Sequence, residues 1–350
     1  AYMVNKRIGY VKLARFSQTT IEEIEGAMKR LKGEGREELI LDLSGNGGGW
    51  LPVAVELADH FISGNKEIVS TKGSKVPDRT YHARKKGLFE TGNLVVMIDG
   101  YAASASEIVS GAVQDWDRGV IVGRRSFGKG LVQQPFVLND GSLIRLTVAR
   151  YYTPTGRLIQ KPYENGYEEY ALDLINRYNK GELSSADSIV FPESQQYRTM
   201  TLNRIVYGGG GIMPDYFVPL DTSAYTDYYR QLISTGHFNR FMLQYVDENR
   251  KELQKKYPDF EDFNRKYAPP ESTLKALVSF AAEEDLEFSE ADWSKSKTRI
   301  SLLVKSYIAR DLWGMEYFYQ VTNTRDEVFL KAVEILDNPS MLHQKLAKVD

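Results

Sequence analysis

Between residues 6 and 160, short apolar segments run into turns of small residues and then into amphipathic segments. This alternation restricts the possible folds more than any other feature of the chain. Leu39–Leu43 and Leu94–Ile98 have the length and composition of buried β-strands, whereas Leu51–Ile62 and Ile108–Trp116 repeat apolar residues with helical periodicity. Repeated strand–helix units pack helices onto a sheet that is at least partly parallel. The predicted fold class is therefore α/β.

Two local patterns predict where elements begin and turn. Thr20-Ile21-Glu22-Glu23 has the spacing of a capping box and predicts the start of a helix. Asn139-Asp140-Gly141 joins two alternating apolar segments, Val132–Leu138 and Leu143–Tyr151. This turn chemistry predicts a β-hairpin.

The rest of the chain has a different character. Residues 163–207 are polar and rich in tyrosine, with a helical piece near Tyr170–Tyr178, and the final third of the chain is helical throughout. We therefore divide the chain into a core at 1–162, an insertion at 163–207, the end of the core at 208–224 and an all-helical C-terminal region at 225–350.

Composition excludes several kinds of chemistry. The chain has no cysteine, which rules out thiol nucleophiles, disulfides and cysteine-based metal sites. Its four histidines are widely scattered, so bases are scarce. A net charge of -2 argues against a general nucleic-acid binder, which normally carries a basic stripe. The longest apolar run, Leu94–Ile98, is far too short for a membrane helix.

The segment Gly123–Gly130 nearly matches a phosphate-binding P-loop, because a lysine directly follows its second spaced glycine. The next position should supply a hydroxyl group for Mg²⁺, and it is Gly130 instead. A P-loop also opens a helix, whereas Leu131–Pro135 favours an extended chain. We do not predict nucleotide binding from this segment.

The turn Gly45–Gly49 stands where a dinucleotide-binding fingerprint would begin. The third glycine of that pattern would fall at Trp50, and no acidic residue stands out at the ribose position. Two interpretations remain open. The turn is either a tight strand-to-helix connection or a nest of backbone N–H groups that holds a negative oxygen.

Small residues crowd Tyr101–Ile108, where a predicted buried strand turns into a helix. Ser104 and Glu107 have the spacing of a capping box, so the local pattern favours Ser104 as a helix N-cap. A serine at this place is also suited to nucleophilic attack, because a helix N-terminus stabilises developing negative charge. The N–H of Ala105 is then a candidate oxyanion donor. The residues alone leave both roles open.

A serine nucleophile needs a base, and the chain offers two kinds. His60 and His82 are distant from the turn motifs in sequence. Lys129 lies between two glycines, where the backbone can pack closely around its amine and desolvate it, as a neutral lysine base requires. Gln133 follows four positions later, on the same face of a strand, where its amide can orient the lysine. The ordinary alternative for Lys129 is a solvated loop lysine.

Several ordered motifs resemble the carboxyl-terminal processing proteases, or tail-specific proteases, of peptidase family S41. They are Asp42–Gly49, Ala103–Ile108 and Phe127–Gln133, followed by Tyr151–Gln160 and Gly211–Asp215. The resemblance covers roughly residues 7–160 and 208–220. Because the motifs coincide in order, the match is far more specific than any single glycine pattern.

The resemblance implies a Ser–Lys dyad formed by Ser104 and Lys129, with Gln133 orienting the lysine. It implies an oxyanion hole formed by the N–H groups of Ala105 and of a glycine in the first turn, with Gly48 the best match. This chemistry needs no metal and no organic cofactor.

The family core is similar to the ClpP/crotonase fold, a spiral of strand-strand-helix units. The implied function is a serine endopeptidase that acts on protein or peptide substrates with exposed C-terminal tails, in the periplasm or cell envelope. No nucleic-acid partner is expected. The helical C-terminal region is a candidate homo-oligomer surface.

The chain also departs from the family pattern. Ser44 replaces a usual arginine and Gly47 a usual proline, so we expect a more flexible turn. Ser106 is an alternative nucleophile but misses the family spacing to lysine. A PDZ domain normally precedes the first core strand, and only Ala1–Lys6 precede it here. That departure motivates an alternative function, a catalytically weak peptide-binding or scaffold module, although the intact serine, lysine and glutamine argue against it.

Overall fold

The computed structural model describes residues 1–163 and 166–348 and contains two compact units. The first unit comprises Ala1–Pro219 and the chain from Lys331 onward, and the second comprises Leu220–Leu330. Each unit contains its own cluster of buried apolar side chains. None of the helices in the described part of the chain is long and apolar enough to cross a membrane.

All described strands belong to the first unit. In chain order they are β1 (Tyr2–Met3), β2 (Ile8–Lys12), β3 (Glu38–Asp42), β4 (Glu67–Lys72), β5 (Arg79–His82), β6 (Leu94–Ile98), β7 (Val120–Gly123), β8 (Leu131–Val137), β9 (Leu143–Tyr152), β10 (Gln196–Arg198), β11 (Ile205–Tyr207) and β12 (Tyr216–Phe217).

The helices follow the same numbering. They are α1 (Thr20–Gly33), α2 (Leu51–Asp59), α3 (Ala105–Asp115), α4 (Tyr167–Ala171), α5 (Asp173–Asn179), α6 (Asp227–Ser234), α7 (His237–Lys256), α8 (Phe260–Lys266), α9 (Glu271–Glu283), α10 (Glu290–Trp313), α11 (Met315–Thr322), α12 (Glu327–Asp337) and α13 (Pro339–Lys345). Short 3₁₀ helices lie at Ala186–Ser188, Glu193–Gln195 and Asn323–Arg325.

A six-stranded sheet with the order β1-β2-β3-β6-β7-β12 forms the centre of the first unit. Apart from β1, its strands pair in parallel, which confirms the predicted partly parallel α/β sheet. β3 and β6 are buried along their whole length, as apolar strands covered on both faces should be. The carboxyl ends of these two neighbours therefore lie side by side.

Helix α1 forms as predicted but begins differently. Of the four apolar residues at helical spacing, Ile21, Ile24, Met28 and Leu31, the last three are buried and Ile21 is partly buried. The predicted capping box is wrong, because Thr19 is the N-cap residue and makes no side-chain cap hydrogen bond. The Thr20 hydroxyl instead donates to the Arg15 carbonyl oxygen at 3.1 Å, so it stabilises the turn before the helix.

A second sheet has the order β5-β4-β9-β8. The predicted hairpin is confirmed as β8 and β9, whose pairing shifts register between Val132 and Gln133. Because the chain enters β8 directly after Gly130, it is extended where a P-loop would open a helix. Strands β4 and β5 were not predicted from the sequence, because they are short and largely polar.

The predicted insertion contains helices α4 and α5, which confirms a helical piece near Tyr170–Tyr178. Strands β10 and β11 pair as an antiparallel ladder later in the insertion. Glu164 and Asn165, which belong to the predicted insertion, lie outside the described residues.

The second unit is helical, as predicted for this part of the chain. The apolar stripe on α10 consists of Ile300, Leu303, Val304, Tyr307 and Ile308. Ile300, Val304 and Ile308 are fully buried, whereas Leu303 and Tyr307 are partly buried. Aromatic rings fill much of this core; Phe263 and Tyr267, for example, stack with their centroids 4.7 Å apart. Ring pairs of this kind add to the free energy gained by burial.

Candidate active site

All five residues predicted for the site line one cleft in the first unit. The cleft has a volume of about 740 Å³ and lies beside the turns that follow β3 and β6. Ligand sites of parallel sheets commonly form at the carboxyl ends of neighbouring strands. The five residues are Gly48, Ser104, Ala105, Lys129 and Gln133.

Ser104 stands immediately before α3 in a conformation that L-residues rarely adopt, with φ 56° and ψ -111°. Such a backbone costs about 1–3 kcal/mol and persists only where surrounding contacts hold it. Its N–H donates to the Glu107 carboxylate at 2.8 Å, and its carbonyl oxygen accepts the Glu107 N–H at 2.9 Å. Ser104 and Glu107 thus form the capping box that the sequence predicts at the start of α3.

Glu107 is completely buried and accepts four hydrogen bonds. One carboxylate oxygen accepts the Ser126 hydroxyl and the Gly128 N–H, both at 2.6 Å. The other accepts the N–H groups of Ser104 and Lys129, both at 2.8 Å. Burial raises the pKa of Glu107, and the four donors oppose that shift. A single carboxylate thus holds the backbone of both predicted dyad residues.

Lys129 is half-buried in the loop that leads into β8. The flanking glycines allow the backbone on either side of Lys129 to pack closely against other parts of the chain. The predicted packing around the Lys129 amine remains a prediction. A Cβ at Gly130 would lie 2.7 Å from the Gln160 backbone nitrogen, and Gly128 has φ +88°. The loop therefore approaches the neighbouring chain more closely than a larger residue would permit.

Tyr151 connects the same two residues from the other side. Its buried hydroxyl donates to the Ser104 carbonyl oxygen at 3.1 Å and also to the Lys129 carbonyl oxygen. Burial, together with the nearby negative charge of Glu107, raises the pKa of Tyr151 well above its usual value. The phenol therefore stays protonated and can donate. No local sequence pattern singles out Tyr151 for this role.

Gln133 lines the cleft from β8, but its side chain is exposed. Within the described part of the chain, no hydrogen bond joins its amide to Lys129. Its orienting role therefore remains a prediction.

The two predicted oxyanion donors differ in whether their N–H groups already donate a hydrogen bond. Ala105 is the first residue of α3, so its N–H has no acceptor within the helix. The Gly48 N–H donates to Asn46 Oδ1 at 2.9 Å. A Cβ at Gly48 would lie 2.7 Å from the Ala103 carbonyl oxygen and 2.8 Å from Ser104 Cβ, so the turn presses directly against the candidate nucleophile.

The alternative residues lie elsewhere. Ser106 is fully buried and its hydroxyl donates to the Asn46 carbonyl oxygen at 2.8 Å. His60 is buried at the end of α2, with Nε2 3.6 Å from Glu25 Oε1, and His82 ends β5. Among the described residues that line the cleft there is no histidine.

A serine in a strained turn between a strand and a helix, with a lysine in the same cleft, supplies two residue types that serine hydrolases use. The family model described as peptidase family S41 matches residues 7–186, just over half of the chain. The chain therefore belongs to peptidase family S41. A second model, described as a family of unknown function (DUF8443), matches residues 228–314.

Curated relatives agree with this assignment. A carboxy-terminal-processing protease of Bartonella bacilliformis is 40% identical over 164 residues, which are 45% of this chain and 38% of that protein. A chloroplastic C-terminal processing peptidase of Tetradesmus obliquus is 38% identical over 156 residues, 45% of this chain and 33% of that protein. The chain thus spans well under half the length of either relative.

Among solved structures, the photosystem II D1 C-terminal processing protease is 38% identical to this chain. The match covers 44% of this chain and 39% of that one, with a TM-score of 0.41.

Proposed function

We propose that this protein is a serine endopeptidase in which Ser104 is the nucleophile and Lys129 the general base. The observation that carries the proposal is the shared anchoring of these residues. Both line one cleft, and their N–H groups are bound by the same Glu107 oxygen at 2.8 Å. Pre-organised placement of nucleophile and base is what an acyl-transfer site requires.

In the proposed reaction, neutral Lys129 accepts the proton of the Ser104 hydroxyl as its oxygen attacks the scissile carbonyl carbon. The resulting tetrahedral intermediate expels the amine of the leaving peptide, which takes the proton back from Lys129. Water, activated by the same amine, then attacks the acyl-enzyme and releases the new C-terminus.

The N–H of Ala105 is the oxyanion donor that needs no rearrangement, since it opens α3 beside Ser104. We propose Gly48 as the second donor. Its N–H would have to exchange the Asn46 amide oxygen for the oxyanion, because one N–H binds one strong acceptor at a time. Gln133 is proposed to orient the Lys129 amine from the wall of the cleft.

We further propose that the substrates are proteins or peptides with exposed, largely apolar C-terminal tails, by analogy with relatives named carboxy-terminal-processing proteases. A cell-envelope location, a ClpP/crotonase-like spiral core and a homo-oligomer formed through the helical region belong to the same proposal. So does the division into a protease core at 1–162, an insertion at 163–207, the end of the core at 208–224 and a helical region at 225–350.

The test measures covalent labelling and proteolysis in parallel. Purified protein is treated with a fluorophosphonate probe, and separately with a folded protein that carries a disordered apolar C-terminal tail. We expect Ser104→Ala to abolish labelling and cleavage and Lys129→Ala to slow both by at least about a hundredfold, as for removal of a general base.

Two control variants keep the test specific. Ser106→Ala removes the buried neighbouring serine, and Lys86→Ala removes an exposed lysine outside the cleft. Cleavage that survives in Ser104→Ala would refute the nucleophile, and labelling abolished only in Ser106→Ala would reassign it. A folded wild-type protein that neither labels nor cleaves would favour the scaffold alternative.

A further inference from the structure

Helix α5 of the insertion lies against the loop that carries Lys129. Its Arg177 is 3% exposed, and burial lowers the pKa of the guanidinium to about 10, so it remains charged at neutral pH. Leu174 packs closely on the turn before Ser104, where a Cβ at Gly100 would lie 2.9 Å from Leu174 Cδ2. One short helix thus contacts the chain leading to both dyad residues.

The Arg177 guanidinium binds two successive carbonyl oxygens of this loop. Nη1 donates to the Ser126 carbonyl oxygen at 2.7 Å and Nη2 to the Phe127 carbonyl oxygen at 3.1 Å. A planar guanidinium presents its N–H groups in a rigid fork, so this pairing fixes the direction of the two carbonyl groups as well as their position. Asp173, one turn earlier on α5, lies 2.9 Å from Arg177 Nε and forms an ion pair with it.

A second cation, Lys161, also binds Asp173 and contacts the same loop. Asp173 also lies 3.0 Å from the amine of Lys161, which is stacked between the rings of Phe127 and Tyr170 at 3.9 and 4.1 Å. The Lys161 backbone N–H donates to the Gly128 carbonyl oxygen at 3.0 Å. Three consecutive carbonyl groups before Lys129 are thus held by Arg177 and Lys161.

The opposite edge of the loop is held by the core. The N–H groups of Gly128 and Lys129 donate to Glu107, and the Phe127 N–H donates to the Ala102 carbonyl oxygen at 3.0 Å. Core residues therefore bind the donors of this loop, and Arg177 and Lys161 bind its acceptors. Removal of either set would leave buried polar groups unpaired.

We propose that Arg177 is a positioning residue for Lys129, so that the insertion is part of the apparatus that sets the geometry of the dyad. Its guanidinium acts through the carbonyl groups of Ser126 and Phe127 and does not touch substrate. The catalytic part of this inference rests on the proposed function, whereas the anchoring of the loop does not.

The experiment compares the wild-type chain of 350 residues with Arg177→Ala, Arg177→Lys and a matched control, Arg198→Ala. Arg198 belongs to the same insertion, but its guanidinium donates to the Asn203 carbonyl oxygen on the exposed β10–β11 hairpin. Hydrogen–deuterium exchange is measured on peptides covering residues 124–132. Peptide hydrolysis gives kcat and KM, with and without added guanidinium ion, and thermal unfolding reports global stability.

We expect Arg177→Ala to speed exchange at residues 126–130 by at least about tenfold, since loss of the fork permits local opening. We expect kcat to fall by about a hundredfold with KM little changed, because a displacement of about 1 Å is enough for such a loss. Guanidinium ion should restore part of kcat in Arg177→Ala and none in a merely unfolded fraction. Arg177→Lys should have an exchange rate and a kcat between those of wild type and Arg177→Ala, and Arg198→Ala should match wild type in both.

Unchanged exchange at residues 126–130 in a folded Arg177→Ala protein would overturn the anchoring. Faster exchange with kcat equal to that of Arg198→Ala would overturn the positioning role. If Arg177→Ala does not fold, Arg177→Lys decides by the same two measurements. A wild type without hydrolytic activity would refute the proposed function, and the exchange data would still test the anchoring independently.

Discussion

The substitution Glu107→Gln tests the buried carboxylate that joins the two halves of the candidate dyad. Each oxygen of Glu107 accepts two donors, and all four distances lie between 2.6 and 2.8 Å. Glutamine keeps one acceptor oxygen and places an NH₂ group where the other stood. Two of the four donors therefore face another donor at a site with no exposure to water.

The magnitude follows from that count. A buried donor without an acceptor costs about 1–3 kcal/mol, and removal of a buried negative charge recovers part of this. We expect the free energy of unfolding to fall by about 2–4 kcal/mol, measured by urea denaturation followed by circular dichroism. We expect kcat/KM on a peptide substrate to fall by about a hundredfold, because the backbones of Ser104 and Lys129 lose their common anchor.

Glu38→Gln is the matched control. Glu38 is also buried, accepts an Asn93 amide donor at 2.7 Å and pairs with Arg7, but it lies at the opposite end of β3 from the cleft. The Glu38→Gln protein should have a lower free energy of unfolding and the same kcat/KM as wild type. A Glu107→Gln protein with wild-type unfolding free energy and kcat/KM within about twofold of wild type would refute the reasoning.

Three further outcomes are expected. Gly48→Ala should lower the unfolding free energy by about 2 kcal/mol or more and abolish hydrolysis, since its φ of +97° and the contact with Ser104 leave no room for Cβ; melting curves and peptide assays check this. Tyr151→Phe should cost about 1–3 kcal/mol in urea unfolding by removing the donor to two carbonyl groups; a value near zero would contradict it. Burial lowers the pKa of His60 in the folded protein. Between this lowered pKa and the usual 6.5, the unfolded state therefore binds more protons than the folded state, and stability rises with pH. His60→Leu should flatten the rise in Tm as the pH increases toward about 6.5, and an unchanged slope would contradict the assignment.

Local sequence patterns were sufficient to predict most of the fold. Leu94–Ile98 is a strand with the predicted bounds, and the Asn139–Gly141 turn joins the predicted hairpin. β4 and β5 were missed because their stability comes from pairing with each other and, for β4, with β9, and not from an apolar pattern of their own. Propensity and periodicity do not register partners that are distant in sequence.

In the candidate site, too, local sequence predicts some features, whereas others depend on residues that are distant in sequence. The spacing of Ser104 and Glu107 indicates a helix cap, and the structure contains the Glu107-to-Ser104 hydrogen bond of that cap. The hydrogen bonds that the Lys129 loop donates to Glu107, and the contacts of the Tyr151 hydroxyl with the Ser104 and Lys129 carbonyl oxygens, join residues about 20 or more positions apart. Nothing in local sequence marks such contacts, so the residues that hold the candidate dyad were identified only from the fold.

The strained backbone of Ser104 also implies a conflict between the function of this residue and the stability of the protein. Its φ of 56° is unfavourable for every residue with a Cβ, whereas glycine adopts the same angles freely. Ser104→Gly should therefore be inactive and yet melt at a higher temperature than Ser104→Ala, by an amount equivalent to about 1 kcal/mol. Selection for stability alone would therefore favour glycine over serine at this position.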